Sequence, residues 1–287
     1  MQTRRIGNTT VSAIGLGGMP MSIEGRPDDR SRSIATIHAA LDAGITLIDT
    51  ADAYHVDGSD VGHNELLIAE ALASYGGDTS EVLVATKGGH TRPGGGAWDL
   101  DGSPEHLRAA CDESLKRLGV EAIGLYQFHR PDPKVPYAES LGAIRDLLDA
   151  GKIRMAGISN ADPEQIVLAN DILGGRLASV QNQFSPAFRS SRAELTLCDQ
   201  LGIAFLPWSP LGGISDAGEL GSRHAAFQQV ASRHGVSPQQ VTLAWMLALS
   251  PVVIPIPGSS RPETVRDSAA AADLELTPEE VAALDAG

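Results

Sequence analysis

In LDAGITLIDTADAY, residues 41–54, an amphipathic stretch ends at Gly44, an apolar run follows at once, and that run closes on a carboxylate, Asp49. Glycine suits the left-handed residue that ends a helix, and a β-branched run suits a strand buried on both faces. The same junction recurs in RLGVEAIGLYQF at Gly119, DAGKIRMAGIS at Gly151 and QLGIAFLPW at Gly202. Helix starts are marked too. Ser103-Pro104, Asp162-Pro163, Ser237-Pro238 and Thr277-Pro278 each pair a capping side chain with proline at the first helical position.

Along the chain there are eight apolar runs, AIGLGG, ITLID, VLVATK, AIGLYQF, IRMAGIS, SVQNQ, IAFLPW and VVIPIP, each followed by a helical pattern. Strict alternation implies parallel crossovers, and the count predicts an α/β fold, a closed (β/α)8 TIM barrel forming one domain over residues 1–287. RRIGNTTVSAIG reads as an N-terminal β-hairpin turning at Gly7 and Asn8. The rival is an open doubly wound sheet, with Gly15-Leu16-Gly17-Gly18 as its dinucleotide fingerprint. The third glycine is misplaced for that, and Pro20 follows immediately.

Composition narrows the function. The 287 residues carry 22 basic and 36 acidic side chains, a net charge of −14, with no basic block, which excludes nucleic acid and an anionic membrane surface as partners. Two cysteines, Cys111 and Cys198, sit in helical patterns without a second ligand nearby, so a metal site is not expected and a reducing compartment is. MQTRRIGNTT has no apolar signal core, and VTLAWMLALSPVVIPIP is broken by Pro251, so a cytoplasmic protein is expected.

Barrels of this kind build their sites at the C-terminal ends of strands. Asp49, Lys87 and His129 close three successive runs there, and Tyr54 lies on the loop leaving the first. A phenol beside an ammonium and an imidazole is a tuned proton donor, because nearby positive charge favours phenolate and lowers the tyrosine pKa. Such a donor suits carbonyl reduction.

With those residues in place, the chain resembles the aldo-keto reductases over nearly its whole length. The motifs are the hairpin plus GLGG, DTADAY, GHNELLIAEAL, ATKGG, LYQFHRPDP, GISN, VQNQFSP, WSPLGG and IPIPGSSRPETV. The resemblance implies an NADPH-dependent oxidoreductase acting on aldehydes or ketones, with Tyr54 as general acid, Lys87 and Asp49 supporting it, and His129 orienting the substrate oxygen. It implies that Ser159, Asn160 and Gln181 hold the nicotinamide carboxamide, that Trp208 stacks on the ring, and that Ser209, Leu211 and Gly213 line the pyrophosphate path. Ser259, Ser260, Arg261 and Thr264 would meet the 2′-phosphate and adenosine, which favours NADPH over NADH. The chain departs from the family where Thr264 and Asp267-Ser268 replace a further arginine and Glu-Asn, and where Phe184 replaces tyrosine.

On the substrate side the expected contacts are Met21, Trp98 and Arg130, with the glycine-rich GGHTRPGGGAWDLDGS forming a long loop able to close over substrate. A small carbonyl compound is the expected partner, and a monomer or weak homo-oligomer the expected state. Two other readings stay open: a Schiff-base lyase using Lys87, and an NADP(H)-binding sensor with little turnover.

Overall fold

The computed structural model describes residues 1–286; Gly287 lies outside them. β1 (Thr3–Ile6) and β2 (Thr9–Ser12) form the expected antiparallel hairpin, with Gly7 at φ +54° in the turn. Ile6 and Val11 from this hairpin pack with Leu47, Leu83, Leu125 and Ile256 in one buried cluster, so the hairpin plugs the lower end of the main sheet.

That sheet is parallel and has seven strands. They are β3 (Leu16–Gly17), β4 (Leu47–Asp49), β5 (Leu83–Gly88), β8 (Ile123–Phe128), β9 (Ile153–Ser159), β10 (Leu177–Gln181) and β11 (Ala204–Phe205), in spatial order β11-β10-β9-β8-β5-β4-β3. Between β5 and β8 the chain inserts a separate antiparallel pair, β6 (His90–Gly94) and β7 (Ala97–Leu100). The glycine-rich stretch expected as a loop is therefore a hairpin, turned by Gly94, Gly95 and Gly96, all at positive φ.

VVIPIP, expected as an eighth strand, is not a regular strand but bridges the two sheet edges. On one side Phe205 N–H donates to Val252 O at 2.9 Å, and Ile254 N–H to Phe205 O at 2.9 Å. On the other, Gly15 N–H donates to Pro255 O at 2.9 Å and Gly17 N–H to Pro257 O at 3.0 Å. Alternate residues of a parallel strand face alternate neighbours, and here those facing β3 are Pro255 and Pro257, which have no N–H to give. Only carbonyls serve that side. Gly15 and Gly17 answer to the same crossing: a Cβ on Gly17 would meet Ile256 O at 2.9 Å, a packing reason for glycine that owes nothing to a dinucleotide fingerprint.

Helices α1 (Arg30–Asp42), α2 (His63–Ser74), α3 (Pro104–Leu118), α4 (Tyr137–Asp149), α5 (Pro163–Ile172) and α6 (Arg192–Leu201) alternate with the strands. The short α7 (Leu220–Arg223), then α8 (Ala225–His234), α9 (Pro238–Leu249), α10 (Pro262–Ala270) and α11 (Pro278–Ala286) follow. The expected caps form: Ser103 accepts from His106 N–H, Ser237 from Gln240 N–H, Thr277 from Glu280 N–H, and Asp162 with Gln165 completes a capping box. Cys111 and Cys198 are free and buried in α3 and α6. No helix among the described residues is long and apolar enough to cross a membrane.

Strand register sets the site. Gly17 pairs with Asp49, Lys87 with Gln127, Gln127 with Gly157, and Ser159 with Gln181, so these chain ends converge at one end of the sheet.

Candidate active site

At that end lies a cavity of about 1110 Å³, running from Tyr54, Trp98 and His129 to Ser260 and Arg261 at the start of α10. Lys87 sits beneath its floor, 0% exposed. Its ammonium donates to Asp49 Oδ1 at 2.6 Å, to Thr50 O at 2.8 Å and to Tyr54 Oη at 3.1 Å. An ammonium has three protons, and all three are engaged. The other oxygen of Asp49 accepts from Gln181 Nε2 at 2.8 Å and Gln127 Nε2 at 3.3 Å, so the carboxylate is held by both amides as well as by Lys87.

Electrostatics follow from this packing. Burial alone would pull the Lys87 pKa down, but Asp49 and the Tyr54 phenol outweigh it, and the amine stays charged. Tyr54 departs from expectation. Burial pushes its pKa above the usual phenol value, and the Lys87 charge offsets this only in part, because Asp49 and Asp52 push the same way as burial. His129 is held neutral, its pKa driven well below the usual imidazole value by burial and then by Lys87, His90 and Arg130.

The His129 ring stands edge-on to Tyr54, with centroids 5.9 Å apart. Its Nδ1 is buried without a partner. A buried lone pair without a donor is tolerated better than a buried N–H without an acceptor, which favours the proton on Nε2. Asn160 steadies this segment by donating to His129 O at 3.0 Å, from a left-handed backbone at φ +58°.

Ser159, Asn160, Gln181, Trp208, Ser209, Leu211, Gly213, Ser259, Ser260, Arg261 and Thr264 all line the cavity with Asp49, Tyr54, His129, Trp98 and Arg130. Ser159 Oγ donates to Gln181 O at 2.7 Å, tying the ends of β9 and β10 together. Gln181 gives its amide to Asp49, while its Oε1 takes no hydrogen bond from any described residue. Ser209 is held at φ +47°, turning the chain at the cavity edge. Arg261 contacts Glu263 at 3.7 Å and is half exposed.

Met21 is not at the cavity. It is 1% exposed and packs with Leu16, Ile37 and Ile68, while Met19 and Pro20 face the cavity instead. The 3-10 turn Met19–Met21 rotates the chain by about a third of a turn per residue, so these two methionines cannot share a direction. Trp98, at 42% exposed, is part of the wall: its ring is edge-on to Tyr54 at 6.5 Å and to His90 at 5.4 Å. The Arg92 guanidinium stacks over it at 4.2 Å and pairs with Glu24 of the segment before α1. Sequence reasoning did not single out His90, Gln127 or Arg92. His90 stands three residues after Lys87, and the alternation His90-Thr91-Arg92 ahead of a Gly-Gly-Gly turn was the available signal.

The sequence matches the Aldo/keto reductase family over residues 13–287. The chain belongs to that family. The aldo/keto reductase fold is a (β/α)8 barrel, and the chain is an oxidoreductase. It is 36% identical over 286 residues to an uncharacterized oxidoreductase of Schizosaccharomyces pombe, covering 99% of this chain and 89% of that one. It is 36% identical over 278 residues to the 6-dehydroglucose reductase of Novosphingobium aromaticivorans, covering 93% and 89%. Among solved structures, a Klebsiella pneumoniae aldo/keto reductase in complex with NADP and acetate superposes with a TM-score of 0.83 at 28% identity, covering 99% and 94%.

Proposed function

We propose that the chain is a one-domain (β/α)8 reductase that converts aldehydes or ketones to alcohols with NADPH, using Tyr54 as proton donor. The observation that carries this is the buried Lys87 ammonium bridging Asp49 and the Tyr54 hydroxyl at the cavity floor. Tyr54 gives its proton to the carbonyl oxygen as negative charge develops there. Lys87 then stabilises the phenolate left behind, and Asp49 keeps Lys87 charged and fixed. His129, neutral with Nε2–H toward the cavity, donates to the same oxygen and sets its position. Burial keeps the Tyr54 phenol protonated, and the Lys87 charge works against that rise, easing release of the proton as the oxygen becomes negative.

The cavity fits a dinucleotide cofactor. Its volume is that of a cofactor site with a substrate space beside it, and Gln181 Oε1 is an acceptor left without a partner among the described residues. Gln181, with Ser159 and Asn160, would hold the carboxamide, and Trp208 the nicotinamide face. Ser209, Leu211 and Gly213 would flank the pyrophosphate. Ser259, Ser260, Arg261 and Thr264 at the α10 N-terminus would take the anionic end, where first-turn amides and a guanidinium favour phosphate. When bound, such a cofactor supplies the hydride. The NADP-bound Klebsiella relative supports this choice. The engaged protons of Lys87 argue against a Schiff base.

The test is Tyr54→Phe with 4-nitrobenzaldehyde, following NADPH oxidation, alongside cofactor binding by tryptophan fluorescence. The expected outcome is a rate loss of about 10² to 10⁴ with binding retained. Retention of most turnover overturns the role of Tyr54. NADPH binding without consumption by the unmodified protein points to a sensor instead.

A further inference from the structure

His90 lines the cavity, yet the proton chemistry just described has no use for it. It follows β5 and opens β6. Its ring meets the His129 ring edge-on with centroids 4.3 Å apart, and the Trp98 ring at 5.4 Å. His90 Nδ1 lies 3.2 Å from Asp99 O, a carbonyl that can only accept, so Nδ1 carries the proton. Nε2 is then a lone pair, and it takes no hydrogen bond from any described residue. Burial first, then Arg130 and Lys87, bring the His90 pKa down to about 4 against the pull of the Asp99 carbonyl, so that lone pair persists at neutral pH.

Side by side, His129 offers a donor and His90 an acceptor. We infer that His90 is a specificity residue that selects carbonyl substrates bearing a hydroxyl on the carbon next to the carbonyl, the carbonyl oxygen taking the His129 and Tyr54 protons while the hydroxyl donates to His90 Nε2. The inference rests on the reductase reading above. Two oxygens on adjacent carbons suit two imidazoles in ring contact. An ammonium suits the position less well, since it would meet the Lys87 and Arg130 charges.

The experiment compares hydroxyacetone with methoxyacetone, which keeps the electron-withdrawing oxygen and loses only its proton. The unmodified protein is expected to favour hydroxyacetone by about tenfold in kcat/KM, the worth of one hydrogen bond to a neutral acceptor. His90→Phe is expected to bring that ratio close to one, and His90→Gln, whose amide oxygen can accept, to keep most of it. A purely structural role would lower both rates together and leave the ratio unmoved. If circular dichroism shows His90→Phe unfolded, His90→Leu takes its place. A ratio near one in the unmodified protein, or one unchanged by losing His90, overturns the inference while leaving the reductase reading intact. Failure of the unmodified protein to reduce 4-nitrobenzaldehyde as well overturns both.

Discussion

Replacing Lys87 by methionine probes the centre of the site, because methionine keeps much of the side-chain volume and removes only the charge and its three hydrogen bonds. Asp49, 2% exposed, would be left as a buried carboxylate held by Gln181 and Gln127 alone. Breaking a buried pair by removing one partner costs about 3–5 kcal/mol, a large part of the roughly 5–15 kcal/mol that holds a typical domain together. Lys87→Met should therefore lower the free energy of urea unfolding by about that amount. Adding Asp49→Asn removes the stranded charge, and the double variant should recover at least half of the loss, since the penalty belongs to the unpaired carboxylate. Activity should not recover. Without Lys87 nothing opposes the burial that raises the Tyr54 pKa, so both variants should fall about 10² to 10⁴ in kcat with an aldehyde. Two results refute the reasoning: a single variant destabilised by less than about 1 kcal/mol, or a double variant whose loss is the sum of the two single losses.

Arg261→Ala should weaken NADPH binding about tenfold and leave NADH within about twofold, the lower end of a charged hydrogen bond's worth because the side chain is half exposed. Fluorescence titration with both cofactors measures this, and equal losses for the two would remove Arg261 from the 2′-phosphate. Asp52 gives a pH prediction. Burial, with Glu65 nearby, raises its pKa from 3.8 to about 8, so between those values the folded protein holds a proton that the unfolded chain has released. Its contribution to stability is then fully present below pH 4 and is lost as pH rises through 8. The difference in unfolding free energy between wild type and Asp52→Asn should therefore widen, in the variant's favour, from pH 5 to pH 9. A difference independent of pH would refute the assignment.

Much of this site was legible because a strand end is marked twice, by the glycine that stops the preceding helix and by the polar residue that closes the apolar run. Asp49 and His129 were placed by that double mark, and Lys87 by the polar close of its apolar run alone. VVIPIP misled because its apolar content matches a strand, whereas pairing depends on which prolines face which neighbour, and that is set by register across the sheet. Met21 was misplaced for a similar reason: one residue's offset in a tight turn exchanges cavity for core. The direction of the Tyr54 pKa was not readable either. It is a contest between burial and charge, decided by depths and distances that a sequence does not carry. The GGG turn was visible, but its neighbours were read as loop because their alternation is short.

That hairpin has a consequence for how the protein can change. β6 and β7 hydrogen-bond to each other as a two-stranded sheet outside the seven-stranded one, and nothing lies within 4 Å of where a side chain would start at Gly94 or Gly95. His90 and Trp98, which line the cavity beside His129 and Tyr54, thus ride on a module whose tip is free, while Lys87 and His129 are fixed by strand register. On the proposed reading, selectivity and chemistry are written on separable pieces of chain. Insertions at the tip would then reshape what enters the cavity without disturbing Lys87 and His129, so substrate range could change while the proposed reaction stays the same.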